Sequence, residues 1–183
     1  MQTTPMPLGE KIRAVRKSKG LSQANIAHAL NMSQPYVNLM ERGHKNCRPE
    51  QLAIIRKFLD IENAPLLEHE AETFKDRLWI WHEMVVKDRL HEAKSMQEQL
   101  APIMSLPYEH DLILLYTLVL ALLQFKDKNT PDFKTKFEEA EAIYVPDEAS
   151  AEARFLYHRC KAIRYYVDRD FKMHYSISCN YLR

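Results

Sequence analysis

Residues 21–43 read LSQANIAHALNMSQPYVNLMERG and contain two short segments that open alike, with Ser followed by Gln. A Ser before a helix accepts a hydrogen bond from an otherwise unpaired backbone N–H, so Ser22 and Ser33 each predict a helix start. Pro35 falls in the first turn of the second helix, where its missing N–H does little harm. Gly43 follows as a helix stop, because glycine reaches the left-handed conformation easily. The stretch predicts two short helices joined by a tight turn.

The second of these helices has two distinct faces. Val37 and Met40 are spaced to point toward a core. Gln34, Asn38 and Arg42 stand at i, i+4 and i+8, so they share the opposite face. Side-chain amides can read base edges, since Gln or Asn pairs bidentately with adenine. The outer face therefore predicts contact with the DNA major groove.

The pattern resembles the Xre/Cro/cI-type helix-turn-helix repressors over residues 8–64. This resemblance implies an all-α, five-helix, lambda-repressor-like DNA-binding domain at residues 1–64. It also implies that the helix after Ser33 is the recognition helix, which such proteins place in the major groove. The matching residues are Arg16, Gly20, Leu21, Ser22, Gln23, Ile26, Ala27, Leu30, Ser33, Val37, Glu41 and Gly43.

The resemblance assigns roles to individual positions. Arg16 and Glu41 are expected to form an internal structural ion pair. Two alternatives stay open: Tyr36 packs on a neighbouring helix rather than reaching DNA, or Ser33 is a cap and nothing more. The expected base contacts are Gln34, Tyr36, Asn38 and Leu39, and the expected phosphate contacts are Gln23, Ser33, Arg42, Lys45 and Arg48.

Charge is distributed unevenly along a chain whose formal net charge is only +1. Residues 1–64 hold ten Lys/Arg against five Asp/Glu, a net of +5, whereas residues 65–183 hold sixteen against twenty, a net of −4. A basic domain followed by an acidic one suits a protein that binds phosphates at one end only. Each phosphate contact would make binding dependent on salt.

The remainder of the first domain predicts a small core and a stiff connection. Residues 49–59 open with Pro and predict a helix whose apolar stripe closes against Ile12, Val15 and Ile26. Residues 61–67 predict a last short helix or a hinge, with the domain boundary at 63–65. The chain has only three Gly, so no flexible linker is expected. The stripe comprises Leu52, Ile55, Phe58 and Leu59.

Residues 65–183 predict stacked antiparallel helical hairpins. Three pairs are expected, at 74–86 with 88–104, 108–125 with 132–144, and 147–167 with 169–182, joined by short connections. The step from Ala140 to His174 is 34 residues, the tetratricopeptide period. The segment resembles tetratricopeptide-like repeats.

A Cro-type domain followed by degenerate helical repeats resembles the Rgg/PlcR-type regulators. That likeness implies repeats that form a homodimer and a concave pocket for a short signalling peptide, as in quorum sensing, or for a small ligand. The expected function is a transcription regulator that binds a near-palindromic operator in double-stranded DNA. The alternatives are a phage-type or antitoxin-type repressor that holds a protein partner, and a helical-repeat adaptor without DNA binding. Because the chain stops near a helix end without a capping element, we expect a shortened relative or a dimer that covers that end.

Other classes of function find little support. The apolar segment 112–123 is too short to cross a bilayer, and no signal peptide is recognisable. Three unevenly spaced cysteines indicate a reduced, cytoplasmic protein. His82–Glu83 lacks a second His at the spacing of a zinc protease, so no metal site is expected. No catalytic residue and no cofactor are expected either.

Overall fold

The computed structural model describes residues 6–62, 64–107 and 109–168, and this part of the chain is helical without strands. The all-α prediction is confirmed. Contacts divide the chain into a first unit, Met1–Phe74 with Pro102–Glu109, and a second unit, Lys75–Ala101 with His110–Arg183. The predicted boundary at residues 63–65 lies inside the first unit. The helices of the first unit are α1 (Leu8–Ser18), α2 (Gln23–Leu30), α3 (Gln34–Glu41), α4 (Pro49–Phe58) and the start of α5 (Glu68–Val86).

The ends of α2 and α3 follow the local signals in the sequence. The Ser22 hydroxyl accepts the Asn25 N–H, and the Asn25 side chain accepts the Ser22 N–H, which completes a capping box. The Ser33 hydroxyl accepts the Tyr36 N–H at the start of α3. Between the helices, Asn31 takes the left-handed conformation with φ of 52°. These caps leave α2 and α3 joined by a turn of two to three residues, which fixes their mutual angle.

The core of the first unit lies between α1, α2, α3 and α4. Helix α2 packs on α3 and α4, while α1 packs on α3. Gly9 permits the last contact: a Cβ at this position would lie 2.2 Å from the Met40 carbonyl oxygen. Phe58 was expected in the core stripe but is 40% exposed. Adjacent residues of a helix point in different directions, so Phe58 faces solvent while its neighbour Leu59 is buried. The fully buried residues of this core include Ile12, Val15, Ile26, Val37, Ile55 and Leu59.

Residues 61–67 were expected to form a last short helix or a hinge, and the next helix was expected from residue 74. Described residues between 61 and 67 form turns and bends, and α5 starts at Glu68. Pro65 explains why no helix forms immediately before Glu68, because the residue before a proline is disfavoured in the helical conformation. Glu70 then caps α5 by accepting the N–H groups of Leu66 and Leu67, both at 2.9 Å.

Arg56 of α4 holds this junction. Its guanidinium donates to the carbonyl oxygens of Glu62 and Ala64, both at 3.3 Å, and to the Glu70 carboxylate at 2.6 and 2.7 Å. Burial opposes ionisation of Glu70, but hydrogen bonds from Leu67, Arg56 and Leu66 outweigh it and lower the pKa of this carboxyl. The junction is therefore tied to α4 at several points.

The second unit consists of helices that run back and forth. They are the later part of α5, α6 (Leu90–Leu100), α7 (His110–Lys126), α8 (Thr130–Ile143) and α9 (Ala151–Val167). Residues 101–105 form a 3-10 turn, so the helix predicted over 88–104 is shorter than expected. The predicted partner helix at 169–182, with His174 and Cys179, lies outside the described residues.

Contacts between these helices define the stacking. Trp81 donates to the Ala93 carbonyl at 2.8 Å and Arg77 to Gln99 at 3.1 Å, which makes α5 and α6 antiparallel. Helices α8 and α9 are also antiparallel, since Glu141 near the end of α8 meets Tyr157, whereas Lys134 near its start meets Asp168 beyond the end of α9.

Helix α7 forms the centre of the second unit. It packs on α6, α8 and α9, and nearly all of its residues between 112 and 123 are buried. This uniform burial explains why the segment is apolar on every side. At its start, Asp111 accepts the Ser150 N–H at 3.0 Å, and further along Cys160 Sγ reaches the Leu118 carbonyl oxygen at 3.6 Å, so α7 and α9 run parallel. Stacked hairpins therefore surround one buried helix.

Candidate nucleic-acid interface

The outer face of α3 borders a polar cleft in the first unit. The cleft holds about 330 Å³ and is closed on its other side by the second half of α1. A second depression of about 460 Å³ continues along Pro35 and Leu39. Gln23, Gln34 and Asn38 line both depressions. The full lining of the first is Arg13, Arg16, Lys17, Gln23, Gln34, Asn38, Glu41 and Arg42.

An ion pair forms the floor of this cleft. Arg16 donates from Nε to Glu41 Oε1 at 2.6 Å and from Nη2 to Oε2 at 2.9 Å. Its third donor, Nη1, reaches the Leu21 carbonyl at 2.7 Å. Both side chains are buried, so their charges compensate each other where water is largely excluded. The pair joins α1 to α3 and thereby holds α3 in place.

Gln23 and Asn38 are engaged within the protein. Gln23 donates from Nε2 to Glu41 Oε2 at 2.9 Å, and Asn38 donates from Nδ2 to Gln23 Oε1 at 3.3 Å. Gln23 was expected to contact phosphate, but both ends of its side-chain amide form hydrogen bonds within the protein. Nothing in the local sequence signals this, because its partners lie 18 and 15 residues away.

Tyr36 rests against the neighbouring helix α4. Its hydroxyl lies 3.3 Å from Gln51 Oε1 and 3.2 Å from Gln51 Nε2. Lys45 Nζ lies 5.9 Å from the centroid of the Tyr36 ring, within range of a cation–π contact. Tyr36 therefore lies as in the alternative left open for it, packed on a neighbouring helix. The face of its ring thus lies beneath the ammonium of the lysine that follows α3.

The remaining predicted contacts lie around the same face. Gln34 and Leu39 are exposed, and Leu39 is 40% accessible on the rim of the second depression. Ser33 caps α3 with its hydroxyl. Arg48 precedes α4, and its N–H donates to Gln51 Oε1 at 3.1 Å while its side chain is exposed.

Two cations of α1 join the cleft although the sequence did not single them out. Arg13 and Lys17 line its wall one turn apart, opposite Arg42. Within the described residues, none of these three cations pairs with a carboxylate. Lys11 behaves differently, since its Nζ meets Glu109 at 2.7 Å. The sequence feature that could have identified Arg13 and Lys17 is their i, i+4 spacing, which places both on one face of α1.

The described part of the chain carries neither a metal-binding cluster nor a membrane-spanning helix. It contains no group of three or more His, Cys, Asp or Glu placed to hold a metal ion. None of its helices is both long and apolar enough to span a bilayer.

Comparison with known proteins agrees with this geometry. Residues 12–62 match the family model described as Helix-turn-helix, the Xre/Cro/cI type. Residues 12–62 form a helix-turn-helix domain. The match supports a DNA-binding regulator of the Xre/Cro type, a family that is typically non-enzymatic. The chain has no match among the curated proteins or the solved structures.

Proposed function

We propose that this protein is a sequence-specific transcription regulator that binds a near-palindromic operator as a homodimer. The observation that carries the proposal is the cleft of the helix-turn-helix domain. It presents the side chains of Gln34 and Asn38 beside the cations Arg13, Lys17 and Arg42. Amides are suited to base edges, while unpaired cations are suited to the phosphates on either side.

The contact set follows from these positions. Gln34, Asn38 and Leu39 face outward from α3 and are the proposed groove contacts, with Tyr36 at their edge. The proposed phosphate contacts are the cations Arg42, Lys45 and Arg48 together with Gln23 and Ser33 at the helix starts, where backbone N–H groups favour anions.

Homodimerisation is proposed for the second unit, Lys75–Ala101 with His110–Arg183. Its described helices expose large apolar side chains, including Ile80, Phe155 and Tyr166, each about half accessible. Apolar side chains at the surface mark sites of association when they form a patch. A dimer also doubles the number of base contacts, which a domain of this size needs for selectivity.

A sensor role for the second unit is supported by the family resemblance alone. The cavity described there, bounded by Leu114, Ile143 and Val145, holds about 40 Å³. Sites for small ligands commonly hold about 300 Å³ or more. Exposed apolar side chains favour the alternative in which this unit holds a protein partner, as in phage-type or antitoxin-type repressors.

The decisive experiment is selection of bound duplexes from a random pool by the full chain at low and at physiological salt. We expect a two-fold symmetric motif whose half-sites lie about one helical turn apart, or a multiple of it. Sedimentation of the same protein should give a dimer. Failure to enrich any duplex would overturn the assignment and favour the helical-repeat adaptor.

One pair of variants tests the dimer surface. Phe155→Asp should shift the sedimenting species toward monomer, because it charges an exposed apolar position of the second unit. Ile54→Asp is the matched control, since Ile54 is similarly exposed but lies on α4 of the first unit. An unchanged dimer in Phe155→Asp would remove α9 from the interface.

A further inference from the structure

The hydrogen bonds beneath the recognition face run in one direction. Asn38 Nδ2 donates to Gln23 Oε1, and Gln23 Nε2 donates to Glu41 Oε2. Each step joins residues of different helices or different turns, and the chain of contacts lies in the wall of the cleft. We call these three side chains the Glu41–Gln23–Asn38 relay.

Chemistry sets the direction of the relay. Within the relay, Glu41 is an acceptor only, because its carboxylate is paired with the Arg16 guanidinium and carries no proton to donate. Gln23 must therefore turn its NH₂ group toward Glu41. Its carbonyl oxygen then faces the other way and needs a donor. Asn38 meets this need only by turning its own NH₂ group inward.

The consequence is that Asn38 presents its carbonyl oxygen outward, while the second N–H of its amide is not used by Gln23. In the described part of the chain, Asn38 Oδ1 accepts no hydrogen bond from the protein. Flipping the Asn38 amide would set its oxygen against the oxygen of Gln23. It would leave Gln23 without a donor and place two acceptors about 3.3 Å apart. The amide is thus held in one of its two orientations.

We propose that the relay makes Asn38 a selective acceptor, so that it reads a base carrying an exocyclic amino group, adenine or cytosine, rather than guanine or thymine. The inference rests on the proposed function and specifies the chemistry of one base contact. Adenine N6 and cytosine N4 are the amino donors of the major groove, whereas guanine O6 and thymine O4 are acceptors. Gln23 is in this view a positioning residue for Asn38.

The experiment uses the full chain and duplexes selected from a random pool. Asn38→Ala first locates the base position that Asn38 reads, as the position where preference disappears. At that position the unaltered protein should favour adenine or cytosine over thymine and guanine by about tenfold. Gln23→Met should reduce this ratio to within about threefold of unity, because the Asn38 amide is then able to flip.

Gln23→Lys separates the relay from simple stability. The lysine ammonium keeps a partner for Glu41 but offers only donors to Asn38, so the Asn38 oxygen should turn inward. The base preference should then reverse toward guanine or thymine while the domain stays folded. Gln34→Met is the comparison variant: it removes another amide from the same face, so it should change selection at a different base position and leave the identity of the base preferred at the Asn38 position the same. Circular dichroism and thermal melting confirm folding in each case.

The outcomes are distinct. If the unaltered protein selects no duplex, the proposed function fails. If it selects duplexes but Asn38→Ala removes no base preference, or if that preference is for guanine or thymine, the inference fails while DNA binding stands. Undiminished selectivity in both folded Gln23 variants also overturns it.

Discussion

The ion pair between Arg16 and Glu41 gives a quantitative prediction for the first unit. Replacing Glu41 with Gln keeps the shape of the side chain but removes the negative charge. The Arg16 guanidinium is then left buried with the Leu21 carbonyl and a neutral amide as partners. Because desolvated charge without a counter-charge is unfavourable, Glu41→Gln should lower the free energy of unfolding of this unit.

The magnitude follows from the burial of both partners. Removing one member of a buried ion pair costs about 3–5 kcal/mol. Arg16 lines the polar cleft and is 7% exposed, which gives its head group a route to water. We therefore expect the lower end of the range, about 3 kcal/mol. That loss corresponds to an opening equilibrium about a hundredfold larger.

Native-state hydrogen exchange of the full chain, followed by mass spectrometry of peptides, measures this loss where it occurs. Amides of α1, α2 and α3 should exchange about a hundredfold faster in Glu41→Gln. Trp79 and Trp81 lie in the second unit, so their fluorescence reports separately on its unfolding in urea. That transition should be unchanged.

Glu83→Gln provides the control. Glu83 pairs with Lys87 at 2.9 Å on the surface of α5, where both side chains are about two-thirds exposed. Such pairs contribute only about 0–1 kcal/mol, so exchange should change little. Equal effects of Glu41→Gln and Glu83→Gln would refute the argument that burial gives the Arg16–Glu41 pair its importance.

Three further predictions concern other features. The double variant Lys45→Ala with Arg48→Ala should weaken binding to every duplex alike. In titrations at several salt concentrations, the slope of log affinity against log salt should become shallower by about 2, because each lost phosphate contact removes about 0.9. Weaker binding confined to one sequence would contradict this role. Gly9→Ala should destabilise the first unit by about 1–3 kcal/mol in thermal melts, because the added methyl meets the Met40 carbonyl; an unaltered melting curve would show that α1 shifts freely. Burial, and next the nearby Arg159, lower the pKa of His82 to about 4. The unfolded chain takes up this proton near pH 6.5, so stability that is complete above about 6.5 should decline toward pH 4 in urea melts followed by fluorescence. His82→Gln should flatten that decline, and an equally steep slope in the variant would assign it to other groups.

Short-range physics made much of the fold predictable from the sequence. The caps at Ser22 and Ser33 and the stop at Gly43 involve only residues within about one helical turn. The spacing of Val37 and Met40 identified the buried face of α3 for the same reason, since helical periodicity is a local property. The fully apolar segment of α7 likewise indicated burial on all sides.

The choice of hydrogen-bond partners was not predictable in this way. Gln23 and Tyr36 are polar residues at exposed helix starts, and their local sequence is equally compatible with contacts to DNA. Their actual neighbours, Glu41, Asn38 and Gln51, depend on how α2, α3 and α4 pack. The pairing of Lys11 with Glu109 spans 98 residues of chain.

The sequence by itself thus determined where helices start, which faces they bury, and that a basic helix-turn-helix precedes an acidic helical segment. These properties arise from interactions between residues a few positions apart. Only the tertiary structure decided that residues 102–109 belong to the first unit, that Arg13 and Lys17 join the cleft, and that Asn38 is held with its oxygen outward. Such features depend on distances between helices that are remote in the chain, and packing of the whole domain sets those distances.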